Sequence, residues 1–155
     1  MKPTMQPVSQ ASSVEVALSP APIPADWVLR GNPEARAAEL WRSLDGTMVT
    51  SAWDCTAGAF EWQFGCEETV HIVEGEVRVI EASGQERMLK AGDVAVFHAG
   101  TVATWDVESY VRKIAMCRHP VPASVGYAVR ALRKVASLMR RAQAEGPAAL
   151  RAERV

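Results

Sequence analysis

Between Thr47 and Met116 apolar side chains alternate with polar ones over short stretches, each only a few residues long. The runs are Met48-Val-Thr-Ser-Ala-Trp53, Phe60-Glu-Trp-Gln-Phe64, Val70-His-Ile-Val73, Val77-Arg-Val-Ile80, Val94-Ala-Val-Phe97, Val102-Ala-Thr-Trp105 and Tyr110-Val-Arg-Lys-Ile114. A period of two places one set of side chains on each face of a half-buried strand. Gly46, Gly58, Gly65, Gly75, Gly84, Gly92 and Gly100 separate nearly all of these runs, and Glu81-Ala-Ser-Gly84-Gln85 reads as a hairpin connection. Short strands at such regular spacing predict an all-β sandwich or barrel.

The period changes on either side of this region. Beyond Pro120 and Pro122, Val125, Ala128, Val129, Leu132, Val135, Ala136 and Met139 recur at helical steps, predicting an amphipathic helix near Ser124 to Gln143. Arg130, Arg133, Lys134, Arg140 and Arg141 fill much of its other side, and Gly146-Pro147 should end it. Ahead of the strands, Asn32-Pro33-Glu34 can open a short helix, and Ala35 to Ser43 either continues it or approaches the barrel extended. The prolines Pro3, Pro7, Pro20, Pro22 and Pro24, set among Ser, Gln and Ala, read as a disordered or loosely attached arm. The expected organisation is an arm over 1–25, a barrel with its lead-in over 26–120, a helix over 121–145 and a frayed tail over 146–155.

Charge and length narrow the function classes. With 17 basic and 18 acidic residues in a chain of 155, no global field draws the protein to nucleic acid or to an anionic membrane. Neither a signal-peptide core nor an apolar run long enough to cross a bilayer is visible, so a cytoplasmic protein is expected. Cys55, Cys66 and Cys117 form an odd set without metal-type spacing, which reads as reduced, partly buried thiols.

Two stretches carry a resemblance. Glu68-Thr-Val-His-Ile-Val-Glu-Gly75 and Leu89-Lys-Ala-Gly-Asp-Val-Ala-Val-Phe-His-Ala-Gly100 resemble the two motifs of the cupin superfamily. With Gly75 as the last glycine of the first motif, Glu68 falls on its glutamate, while Trp62 and Phe64 fall on its histidines. In the second motif Gly92 and Gly100 fit, but His98 replaces the proline, Ala103 the histidine and Val107 the asparagine. Trp53-Asp-Cys-Thr-Ala-Gly-Ala-Phe-Glu-Trp62, the Trp105 strand and Val111-Arg-Lys113 further resemble the ureidoglycine aminohydrolase cupin group, which includes the ethanolamine-utilisation Q proteins. The resemblance implies a cupin-type antiparallel β-barrel (a double-stranded, jelly-roll-like β-helix) with a C-terminal α-helix, and a homodimer. True ureidoglycine aminohydrolases hold manganese. Here the corresponding register reads Trp62, Phe64 and Glu68, so neither that activity, nor a metal, nor any other cofactor is implied.

Glu68 is the candidate catalytic group. A carboxyl pointing into an apolar barrel can act as an acid or base, or it can accept bonds from a structural partner. Lys113 on the last run is a possible partner, or a surface or interface charge. Trp62, Phe64, Ala103 and Trp105 either line a ligand pocket or plug the barrel. His98 is placed near the barrel mouth, and His71 falls on the face opposite Glu68. Cys66 beside Glu67 and Glu68 lacks the electropositive setting a nucleophile needs. Trp27, Trp41 and Trp53 read as packing residues.

Three functions therefore compete. The first is a barrel that binds or transforms a small polar metabolite, nitrogenous by the resemblance. The second is a non-catalytic dimeric module for structure or partner binding. The third is a metalloenzyme using atypical ligands.

Overall fold

The computed structural model describes residues 10–145; the expected tail over 146–155 and the first part of the arm lie outside them. Among the described residues, eight strands form one curved antiparallel sheet: β1 (Ser19–Pro20), β2 (Val28–Gly31), β3 (Ala35–Arg42), β4 (Met48–Gln63), β5 (Glu67–Glu81), β6 (Glu86–Lys90), β7 (Val94–Phe97) and β8 (Val102–Arg118). The hydrogen-bonded order is β1-β3-β4-β8-β5-β6, with β2 also on β4 and β7 also on β5. The expected all-β barrel is present. The C-terminal helix α1 (Ala123–Glu145) forms a second unit with bounds close to those expected, and the Arg130 guanidinium lies 4.6 Å from the Tyr127 ring centre within it.

β4 and β8 are the backbone of the barrel, running side by side from Met48 opposite Arg118 to Gln63 opposite Val102. Their alternation breaks once, between Thr56 and Gly58. The Pro33 ring packs where a side chain on Gly58 would stand, so only glycine lets that ring close over the bulge. β5 has similar breaks between Ile72 and Glu74 and between Gly75 and Arg78. Gly75 sits at φ 72°, and a Cβ there would run into the Tyr110 carbonyl. This is the glycine that ends the first motif, and its role is close approach of two strands.

The breaks near Gly58 in β4 and after Ile72 in β5 turn those strands over, so the inner face takes Trp53 and Cys55 before the break in β4 and Phe60 and Trp62 after it, with Phe64 just past the end of the strand. From β5 it takes Glu68, Val70 and Ile72, then Val77 and Val79; from β8 it takes Ala103, Trp105, Val107, Val111, Lys113 and Ala115. Nearly all of these are buried and form one apolar core.

One open reading from the sequence is decided and one changes. Residues 35–42, open between helix and extended chain, form β3, pairing Ala35 with Cys55 and Arg42 with Val49. Residues 10–25, expected within a disordered arm, have defined partners: Ser19 and Pro20 pair with Ala37 and Arg36, and Arg112 Nη2 donates to the Ser13 carbonyl at 2.6 Å. Proline at an edge strand is compatible with pairing, because the missing N–H faces away from the ladder.

The cysteines correct a third reading. Cys66 and Cys117 are joined by a disulfide, their Cα atoms 5.9 Å apart, and Cys55 alone is a free, buried thiol. Cys66, just ahead of β5, lies against the end of β8, where Glu68 opposes Cys117. That long-range register brings the two sulfurs together, and local spacing cannot reveal it. The bridge removes one argument for a reducing compartment.

Candidate functional site

The site is built on three adjacent strands. β5 supplies Glu68, β8 supplies Lys113, Trp105 and Ala103, and β4 supplies Trp53 and Trp62, with Phe64 just past its end. Glu68 and Lys113 are 7% and 3% exposed, and Lys113 Nζ donates to Glu68 Oε1 at 2.7 Å. The ammonium also lies 4.4 Å from the centre of the Trp105 ring, 4.9 Å from Trp53 and 5.5 Å from Trp62. A cation over aromatic faces is held by their quadrupoles, and more strongly once water is removed. Lys113 is thus a buried cation with a carboxylate on one side and indole rings around the rest.

The rings pack on one another as well. Trp53 meets Trp62 and Trp105 edge to face at 5.9 and 6.0 Å, and Trp27 meets Trp62 at 5.6 Å. Phe64 stacks on Phe97 at 4.4 Å, and Phe97 leans on Trp105 at 5.6 Å. These edge-to-face and stacked arrangements are the favoured geometries for aromatic pairs. Trp62 is half-buried and Trp105 is 1% exposed, its Nε1 buried without a hydrogen-bond partner among the described residues.

Of the residues expected at the site, Glu68, Lys113, Trp62, Phe64, Ala103 and Trp105 all lie on the inner face. Ala103 is buried and opposes Trp62. The surface-charge alternative for Lys113 is excluded by its burial. His98 lies elsewhere: its side chain is 75% exposed, with Nδ1 3.7 Å from Glu67 Oε1. His71 is exposed, on the side away from Glu68.

Trp53, Phe60, Phe97 and Trp27 join this aromatic cluster without having been singled out as site residues. Strict alternation from Trp62 places Trp53 on the opposite face, and only the bulge beside Gly58 returns it. That glycine, within a run otherwise suited to a strand, is the signal that marks such a bulge.

Other ionic groups lie away from this box. Asp54 is buried on the opposite face of β4, accepting from Arg36 Nε at 3.0 Å and from the Tyr110 hydroxyl at 2.9 Å. Burial, with the Asp54 carboxylate adding to it, holds the Tyr110 hydroxyl above its usual range. Arg78 and Arg30 both bind Asp106, and the hydrogen bond from Arg78 is the main cause that holds its carboxyl below the usual range. These residues, with Glu76 and Glu108, line an outer cavity of about 410 Å³. On the inner face, burial pushes the Cys55 thiol up to about 12, with the Asp54 charge adding and Lys113 opposing.

The antiparallel barrel and its inner carboxylate define the class: the fold is a cupin β-barrel. Residues 42–115 match the family model described as the EutQ-like cupin domain, and the chain carries a small cupin domain resembling that family. Among solved structures, the EutQ protein of Clostridium difficile matches at TM-score 0.50 and 16% identity, covering 56% of this chain and 69% of that one. A protein of unknown function of the DUF861 family from Pseudomonas syringae pv. tomato matches at TM-score 0.62 and 21% identity, covering 68% of this chain and 45% of that one. A cupin-like protein of Thermotoga maritima matches at TM-score 0.52 and 14% identity, covering 63% and 76%. At these identities the likeness concerns the fold. No curated protein sequence matches the chain.

The metal of metal-binding cupins does not fit these residues. Trp62, Phe64 and Ala103 offer no donor atom where the motif has histidine, and Lys113 Nζ already engages Glu68. A first-row metal needs several converging nitrogen, oxygen or sulfur donors. Among the described residues no three His, Cys, Asp or Glu side chains converge in that way. Nor is any helix among them long and apolar enough to cross a membrane.

Proposed function

We propose that the box around Glu68 and Lys113 is a metal-free recognition site for a small, flat metabolite bearing a carboxylate or carbonyl group. The observation that carries this reading is an excess of donors. An ammonium has three N–H donors, and Glu68 accepts one from Lys113 at 2.7 Å. Trp105 Nε1, buried nearby, has no partner among the described residues. Acceptor oxygens on a ligand would satisfy such donors, and a planar body would suit indole faces. In this reading the Lys113 ammonium supplies the positive charge that a metal supplies in metal-binding cupins. Glu68 holds it in place and is available as a proton acceptor, so catalysis is an extension of the binding reading and not its premise. The half-buried Trp62 is the side from which a ligand would enter.

A second reading is favoured by the ring-to-ring contacts of Trp53, Trp62 and Trp105. It makes the pair and its rings a solid plug, and the chain a dimeric structural module. The edge strands and the exposed Val94 and Val96 on β7 support such a pairing. A thermal-shift screen of small carboxylates, amides and ureido compounds separates the two, since a ligand that binds only the folded state raises its apparent stability. The site reading expects a saturable rise that Lys113→Met abolishes. No compound shifting the wild-type protein, or equal shifts in the variant, favours the plug.

A further inference from the structure

We infer that Cys66 and Cys117 form a thiol–disulfide site, exchanging with small thiols and disulfides, that fixes the segment carrying Phe64 and Glu68 into the barrel. This inference stands apart from the ligand reading and needs no ligand.

The placement supports it from both sides. The connection between β4 and β5 runs through Gly65 and Cys66, between the Phe64 ring and the Glu68 carboxylate. One side is tied by backbone bonds: Phe64 N–H donates to the Thr101 carbonyl at 2.9 Å, and Gly100 N–H to that of Phe64 at 2.7 Å. On the other side the bridge ties Cys66 to Cys117 of β8, with Cα atoms 5.9 Å apart, closing a sequence separation of 51. The side-chain contact beside it, Glu67 with Arg118 at 3.7 Å, is between exposed groups and weak. Beyond Cys66 the chain pairs Glu67 and Glu68 with Arg118 and Cys117, and Glu68 reaches Lys113, so the disulfide is the covalent link that ties the connection itself to β8. Cys66 is 7% exposed, whereas Cys117 is half-buried and within reach of solvent.

The chemistry balances with a reagent of glutathione type. A thiolate of the reduced pair attacks the small disulfide, releasing one thiol and leaving a mixed disulfide. The second cysteine then attacks the protein sulfur of that mixed disulfide, expelling the other small thiol and closing the bridge. Two electrons and two protons pass from the protein pair to the small disulfide. Reduction by the corresponding thiol reverses both steps. Cys55 does not compete, because it is completely buried and its thiol is held far up.

The test uses the full chain equilibrated with oxidised or reduced glutathione, unfolded under acid quench and labelled with a maleimide, alongside hydrogen exchange on the folded protein. We expect one labelled cysteine, Cys55, after oxidation and three after reduction, with a Cys66–Cys117 cross-linked peptide in the first state. Amides of 65–68 should exchange about tenfold faster when reduced, as expected for a locally released segment. Cys117→Ser should exchange fast in both states, and Cys55→Ala should respond like the wild type. Three labelled cysteines after oxidation, a bridge only between chains, or exchange unchanged by reduction each overturns the inference.

Discussion

Lys113 stands opposite Ile72 and Glu68 stands opposite Cys117, so the two ions meet along the barrel wall and not straight across it. Between them lies the pair Val70 and Ala115. Both long side chains lean over this pair to reach 2.7 Å. The small Ala115 side chain, 5% exposed, leaves the lane they use.

Removing one partner should cost more than removing both. Lys113→Met leaves a buried carboxylate without a counter-charge and should lower stability by about 3–5 kcal/mol. Glu68→Gln keeps an acceptor and should cost about 1–3 kcal/mol. The double change Glu68→Leu with Lys113→Met should cost clearly less than the two single leucine and methionine changes summed. Urea unfolding of all variants measures this, and additivity would show the pair to be uncoupled.

Filling the lane should act on the pair from beneath. Ala115→Leu adds bulk below the meeting point and should destabilise by about 1–3 kcal/mol through overpacking. Ala115→Gly should be tolerated better than Leu. A leucine variant as stable as the wild type would mean the lane is wider than the packing around it indicates.

Alkaline pH should weaken the fold through Cys55. Its folded-state thiol sits at about 12 against an ordinary 9.0. A raised value means the folded state keeps its proton when the unfolded chain has lost it. The stabilisation is complete below about pH 9 and is lost as pH rises toward 12, by roughly 1.4 kcal/mol per unit inside that window. Melting temperatures of the wild type and Cys55→Ala from pH 7 to 11 check this, and the alanine variant should fall less steeply.

Gly75→Ala should be among the costliest single-methyl additions in the chain. It combines φ 72° with a clash against the Tyr110 carbonyl, and at least ~1–3 kcal/mol follows from the backbone term alone. Gly84→Ala has the positive φ but open space, so it should cost less. Equal losses in the two variants would show that the approach of β5 to β8 adds nothing.

Much of this architecture is legible in the chain. Alternation marks the strands, the glycines mark their ends, and the resemblance to the cupin motif, aligned on Gly75, marks Glu68 as the inner carboxylate. The aromatic wall is only half legible, because alternation holds within a strand and fails across a bulge. Trp62, Phe64 and Trp105 lie on the expected side, while Trp53 changes sides at Gly58. Lys113 reads equally well as surface charge until its partner strand is known. Cys66 and Cys117 are separated by 51 positions, and their meeting depends on the β5–β8 register, which no local pattern encodes. Pro20 and Ser19 likewise look unstructured until β3 offers them an edge.

The break at Ala57 has a consequence for how this barrel can change over time. Between the pairs Thr56–Tyr110 and Gly58–Val107, Ala57 alone lies against Glu108 and Ser109, so β4 is one residue short of β8 there. Inserting one residue beside Ala57 would even the count and leave every pairing on either side in place. Deleting Ala57 with β8 fixed and the break kept would instead slide Met48 to Thr56 by one position and turn them over, setting Ala52 opposite Lys113 and Trp53 outward. One codon gained is absorbed at this point, whereas one codon lost strips an indole from beneath the ammonium.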